Sequence, residues 1–152
     1  MQSTKPRYLL DLNVLIFLAD TESPHYAAAQ RWFDAEGKHD WGVRPLTEAG
    51  FVRVTTNPAF GGVDRTVAQA TAILAAFADH PGYRYWPIAE PWAALTAPFS
   101  HRILGHKQVT DGYLLGLAVK HNGVLVTFDR GIRYLAGTEF SRNLLLLGAA
   151  AS

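Results

Sequence analysis

The sequence predicts an α/β sandwich, with helices covering a mostly parallel sheet. Three observations lead there. Short apolar runs of strand length alternate along the chain with segments of helical periodicity. Two of these runs, Tyr8-Leu9-Leu10 and Val124-Leu125-Val126-Thr127-Phe128, are apolar on successive residues, as strands covered on both faces are. The 152 residues, 49% hydrophobic and 18% charged, suit a single domain over 1–152 with one core.

The elements follow in order. Tyr8–Leu10 is the first strand, and Leu12–Ala19 a short helix after Asp11. Pro24 is predicted to open the next helix, which runs to about Glu36 and stops at Gly37. Trp41-Gly42-Val43 is a second strand. Thr47–Thr56 is a helix that ends before Asn57-Pro58, because the residue before a proline avoids helical backbone. Phe60-Gly61-Gly62 is a loop. Asp64–Ala78 is an amphipathic helix with Asp64 as its candidate N-cap. Tyr83–Ile88 is a third strand, Pro91–Phe99 a helical turn or two, and Ser100–Lys107 a basic loop. Val109–His121 is a helix stopped by Asn122-Gly123. Val124–Phe128 and Asn143–Leu147 are the last strands.

Composition removes several function classes. With no cysteine, a disulfide scaffold, thiol catalysis and cysteine-ligated metal are excluded. No apolar run is long enough to span a bilayer, and Met1–Arg7 has no signal-peptide core, so a cytoplasmic protein is expected. Fourteen Lys and Arg against 13 Asp and Glu leave a net charge of +1, which does not advertise a nucleic-acid partner.

The chemistry is in the carboxylates. Asp11 and Asp129 each follow an apolar strand directly, and parallel neighbouring strands would deliver both to the carboxyl edge of the sheet, where open α/β sheets bind ligands. Alone, Asp11 reads equally well as a helix N-cap and Asp129 as a turn residue before Gly131. Glu48, with Phe51 and Val52 at i+3 and i+4, and Asp111, with Leu114, Leu115 and Ala118 at i+3, i+4 and i+7, lie on apolar helix stripes. The helix dipole explains an acid in a first turn but not its choice of the inward face. An inward carboxylate is costly unless a cation supplies countercharge. Four hard oxygen donors suit magnesium, with manganese as a substitute, rather than zinc.

These residues resemble the PIN-domain nucleases, and within them the VapC-type toxins of bacterial toxin–antitoxin pairs. The matching segments are Leu9-Leu10-Asp11-Leu12-Asn13-Val14-Leu15, Thr47-Glu48-Ala49-Gly50-Phe51-Val52-Arg53-Val54, Val109-Thr110-Asp111-Gly112-Tyr113-Leu114-Leu115-Gly116-Leu117-Ala118 and Leu125-Val126-Thr127-Phe128-Asp129-Arg130. The resemblance implies a three-layer α/β/α sandwich and a magnesium- or manganese-dependent endoribonuclease that hydrolyses RNA with metal-activated water. It implies that Asp11, Glu48 and Asp111 are the main catalytic, metal-binding acids. Asp129 matches a fourth, more variable acid, and Asn13 and Thr127 match supporting polar positions. It also implies homodimers and inhibition by a cognate VapB-like antitoxin whose C-terminal segment crosses the site.

His101, Arg102, His106 and Lys107 precede Asp111, and Arg130 and Arg133 follow Asp129. Arg102, His106, Lys107, Arg130 and Arg133 are therefore candidates to hold RNA phosphates, against the reading of ordinary surface charge. Aromatic residues such as Trp32-Phe33 and Phe51 sit in apolar patterns and read as core, whereas Tyr85, Trp86 and Trp92 are interface candidates. Two other classes compete. A receiver- or haloacid-dehalogenase-like phosphoryl-transfer protein would also use strand-end acids, but Asp11-Leu12-Asn13 lacks the second Asp of its nucleophile motif. A catalytically inactive PIN-like binding module need not keep four acids.

Overall fold

A computed structural model of the chain describes residues 5–60, 64–87 and 90–148. Its sheet contains β1 (Tyr8–Leu10), β2 (Trp41–Gly42), β3 (Val124–Thr127) and β4 (Leu144–Leu146) in the order β2-β1-β3-β4, all parallel. The helices are α1 (Leu12–Ala19), α2 (Tyr26–Ala35), α3 (Pro45–Thr55), α4 (Val67–Ala78), α5 (Trp92–Thr96), α6 (Val109–Lys120) and α7 (Ile132–Ala136).

Successive strand side chains face opposite ways, so continuous apolar runs feed two cores. Leu9 and Leu125 pack with Leu95, Phe99, Leu115 and Leu135, which joins α5, α6 and α7 to one face. Tyr8, Leu10 and Val126 pack with Leu15, Trp32, Phe51 and Ala70, which joins α1, α2, α3 and α4 to the other. The result is a three-layer α/β/α sandwich. Within one layer, α5 and α6 come close at Gly116: a Cβ there would lie 2.6 Å from the Leu95 carbonyl oxygen.

Several sequence expectations are corrected. The helix expected from Pro24 starts at Tyr26, because Ser23 holds a turn through its carbonyl (Tyr26 N–H, 3.1 Å) and its hydroxyl (His25 N–H, 3.1 Å). The cap of α4 is Thr66, not Asp64: the Thr66 hydroxyl accepts from Gln69 N–H at 3.0 Å while the Gln69 side chain accepts from Thr66 N–H at 2.8 Å. That reciprocal box satisfies two otherwise unpaired donors, which Asp64 is one turn too early to reach.

Tyr83–Ile88 does not form a strand over its described residues. Tyr83 makes one parallel bridge to Trp41, then Arg84 and Trp86 donate to the Trp41 and Val43 carbonyls at 2.7 and 3.0 Å. The segment runs along β2, but β2 has two residues and Pro87 has no N–H to extend the ladder. Gly42 permits the approach, since a Cβ there would sit 1.8 Å from the Arg84 carbonyl oxygen. Trp86 is a core residue at 1% exposure rather than an interface side chain, whereas Tyr85 and Trp92 are exposed. The loop expected over Ser100–Lys107 contains the end of a 3-10 segment, Ala97–Arg102, and the start of another, His106–Gln108. Helix α7 was not foreseen. Gly61, Gly62 and Ile88 lie outside the described residues.

Candidate acidic site

The parallel pairing of β1 and β3 sets Leu10 opposite Val126, so both chains leave the sheet at the same edge. Asp11 emerges there as the N-cap of α1 and is 7% exposed. Its backbone N–H donates to the Val126 carbonyl at 2.9 Å, which locks the start of α1 to the end of β3. One carboxylate oxygen accepts from Leu12 N–H at 2.7 Å and the other from the Thr127 hydroxyl at 2.7 Å.

Thr127 is fully buried and is the hub of the edge. Its hydroxyl donates to Asp11 and accepts from Asp129 N–H at 2.9 Å and from the Asn13 side-chain amide at 3.3 Å. The Asn13 carbonyl oxygen accepts from Phe128 N–H at 3.2 Å. Asn13 and Thr127 thus join α1 to the strand end and orient two acids. The Asp129 carboxylate also accepts from Gly131 N–H at 2.8 Å, closing a turn that leaves the residue exposed.

Asp111, in the first turn of α6, completes the group. Its carboxyl is pushed up to about 7, first by burial, then by the charges of Asp11 and Asp129 and by a hydrogen bond with Asp129. Asp11 is also raised, chiefly by burial and further by Asp129, against the lowering effect of its bonds from Thr127 and Leu12. Three carboxylates far apart in sequence therefore act on one another at one sheet edge.

Glu48 stands apart from that group. It is half-buried on α3, and its charge acts on Tyr83 and Tyr85. Burial and then Glu48 push the Tyr83 hydroxyl up to about 12. Tyr85 is raised by burial and by Glu48, to which it is also hydrogen-bonded, against the lowering effect of Arg44. Arg44 is buried at the start of α3, with its guanidinium 4.6 Å from the Tyr113 ring centre, two residues beyond Asp111. Arg44, Tyr85 and Tyr113 were not singled out as site residues. Only the placement of Arg44 before Pro45, at a helix start, hinted at a fixed position.

The basic candidates divide. The Arg102 guanidinium is engaged within the fold, donating to the Leu135 carbonyl at 2.9 Å and pairing with Glu139 at 3.0 Å. His106 and Lys107 are exposed on the turn leading into α6, and Arg130 and Arg133 are exposed around the start of α7. A cavity of about 330 Å³ opens beside Asp11, lined among others by Leu12, Leu46, Gly50, Thr110 and Leu114.

Among the described residues, no three His, Asp or Glu side chains stand close enough to hold one cation together as placed. The donor set nonetheless suits a hard divalent ion. Burial, and then the charges of Asp11 and Asp129, hold the Asp111 carboxyl up to about 7, and a dication would supply the missing positive charge through oxygen ligands.

Comparison with known proteins places this arrangement. The PIN-domain family model matches residues 8–137. The chain is 41% identical over 124 residues to "Ribonuclease VapC39" of Mycobacterium tuberculosis, covering 82% of this chain and 89% of that protein. It is 41% identical over 128 residues to "Ribonuclease VapC38" of the same species, covering 84% and 89%. Among solved structures, it is similar to a toxin–antitoxin complex from Klebsiella pneumoniae, with a TM-score of 0.62 at 16% identity over 91% of this chain and 95% of that one. It is also similar to FitAcB from Neisseria gonorrhoeae, with a TM-score of 0.60 at 20% identity over 85% and 92%. These two structures speak for the fold.

Proposed function

This chain belongs to the PIN-domain family, and from that premise we propose that it is a VapC-type toxin: an endoribonuclease that depends on magnesium or manganese. The observation that carries the reading is the meeting of Asp11, Asp111 and Asp129 at one sheet edge, close enough for each of the first two to be raised by its neighbours' charge. Two relatives named ribonucleases, each matched over more than four-fifths of the chain, support the reaction class.

In this reading Asp11, Asp111 and Asp129 hold the ion. Glu48 joins them by turning from Tyr83 and Tyr85 on the neighbouring helix α3. When bound there, a divalent ion would supply the positive charge that activates a water and offsets charge on the phosphorus and leaving oxygen. The protein supplies position. Thr127 and Leu12 N–H fix the Asp11 carboxylate, Thr127 also fixes the Asp129 backbone, and Asn13 braces both. His106 and Lys107, just before α6, and Arg130 and Arg133, around the start of α7, are exposed and would hold flanking phosphates. Arg102 contributes indirectly, by tying the loop before α6 to the end of α7. An antitoxin segment would cover the cavity beside Asp11, with Leu12, Leu46 and Leu114 as its apolar wall. Among the described residues no helix is long and apolar enough to cross a membrane; a cytoplasmic protein acting as a homodimer completes the proposal.

The test is cleavage of total RNA with and without magnesium or manganese. Asp11→Asn and Asp111→Asn should each lose at least the ~10–100-fold that outer-shell partners of a metal site contribute, with unchanged circular dichroism. Wild-type rates in both variants would overturn the assignment.

A further inference from the structure

The opposite end of the same strands carries a second feature that the acidic site does not use. Arg7 precedes β1, Val124 opens β3 and Asn143 precedes β4, and these residues border a basin of about 410 Å³. Lys5, Arg7 and Arg142 supply its charge beside His121, and among the described residues no acid lines it. The nearest carboxylates lie outside the wall. Asp40 reaches Arg7 at 4.0 Å and Glu90 reaches His121 at 2.9 Å. Among the described residues, Lys5 and Arg142 have no ion-pair partner and both are exposed. In a chain whose net charge is +1, three permanent cations and a histidine around one basin are a marked local excess.

The basin is built rather than accidental. The Arg7 guanidinium lies 4.8 Å from the ring centre of buried Trp86, which holds it at the wall. Asn122 has a left-handed backbone, φ 56°, that turns α6 sharply into β3. The buried Asn143 amide donates to the Gly123 carbonyl at 2.9 Å, bracing the floor and leaving ligand contact to the rim. Exposed cations on an open rim suit a polyanion backbone better than a small anion, which is usually held by buried donors.

We propose that this basin binds the phosphodiester backbone of an RNA strand at a point remote from the acids. Four residue steps of extended chain lead from Arg7 to Asp11, roughly 13 Å at about 3.3 Å each, so a strand of several nucleotides reaches both ends of the sheet while a very short one does not. The proposal rests on the ribonuclease reading for the identity of the polyanion.

The experiment measures binding of the full chain in EDTA, by fluorescence anisotropy, to labelled RNAs of about 20 and about 2 nucleotides, with gels confirming that the RNA stays intact. The double variant Lys5→Ala/Arg142→Ala should weaken binding of the longer RNA about three- to tenfold. It should also lower the slope of log affinity against log salt by about 1.4, about 0.7 for each of the two cations removed from a single-strand contact, with the short RNA unaffected. Because cleavage is not read, failure of the nuclease reading would leave this result standing. Equal affinity and equal salt slope in the double variant would overturn the proposal. So would a loss confined to AMP or inorganic phosphate binding, followed at the His121 ring by NMR, which would assign the basin to a free phosphate.

Discussion

Thr127 is where a single hydroxyl matters most. It is fully buried and joins Asp11, Asn13 and the Asp129 backbone at once. Thr127→Val keeps the shape but removes a donor from a buried carboxylate and an acceptor from two donors. On the proposed function, cleavage should fall about 10–100-fold, as loss of an outer-shell partner does, with the steeper effect on the metal concentration needed for half-maximal rate. Asp111 makes a prediction about pH. Its carboxyl lies at about 7 in the fold against an ordinary value of 3.8, so the folded chain holds a proton that the unfolded chain releases. Its contribution to stability is therefore complete below pH 4 and is lost as pH rises to about 7. In EDTA, urea unfolding should find Asp111→Asn more stable than the wild type at pH 8, with the gap closing toward pH 4. A gap that does not change with pH would remove the crowded-carboxylate account.

At the scale of elements, helix starts decide what reaches the site. The cap of α1 is Asp11 itself, so the residue that opens the helix is also the one that faces the edge. Helix α4, by contrast, is capped away from the acids by the Thr66–Gln69 box. Thr66→Ala should cost about 1 kcal/mol in urea unfolding, whereas Asp64→Ala should change little. Equal losses would return the cap to Asp64. Helix α3 carries Glu48 in its first turn beside Arg44, and Arg44 packs on Tyr113 of α6. That contact couples the two helices that carry Glu48 and Asp111, so the position of one acid depends on the packing of the other's helix.

For the whole molecule, the sheet order β2-β1-β3-β4 brings the two strand-end acids side by side at its centre. A site assembled from α1, α6 and the end of β3 exists only in the folded chain, so a cation that binds it stabilises the fold by mass action. Manganese at about 100 times its dissociation constant contributes ~2.7 kcal/mol, which for a chain of this size raises Tm by about 5–10 °C. The rise should disappear in Asp11→Asn. No rise in the wild type would argue for an acidic site that holds no metal.

The sequence alone determined the α/β class, because apolar runs of strand length alternate along the chain with segments of helical periodicity. It also determined which acids follow strands, since a polar residue directly after a buried run leaves the sheet at its edge. The bounds of α1 were legible to the residue, as Asp11 and Asp20 bracket one apolar segment. The tertiary structure decided matters that depend on partners distant in the chain. Asn13 and Thr127 matched supporting polar positions in the sequence, but which groups they join was decided when the pairing of β1 with β3 set them 3.3 Å apart. Arg102 reads in the sequence as a candidate for RNA phosphate, but the turn at Gly137 leaves room for its guanidinium against the end of α7, where the fold engages it. Glu48 shares an apolar helix stripe with Phe51, yet the extended segment after Tyr83 supplies the hydroxyls that its carboxylate faces. Local patterns report burial, because burial is a property of each residue's own side chain. They cannot report which buried groups meet, because that is settled by strand order and helix packing across the whole chain.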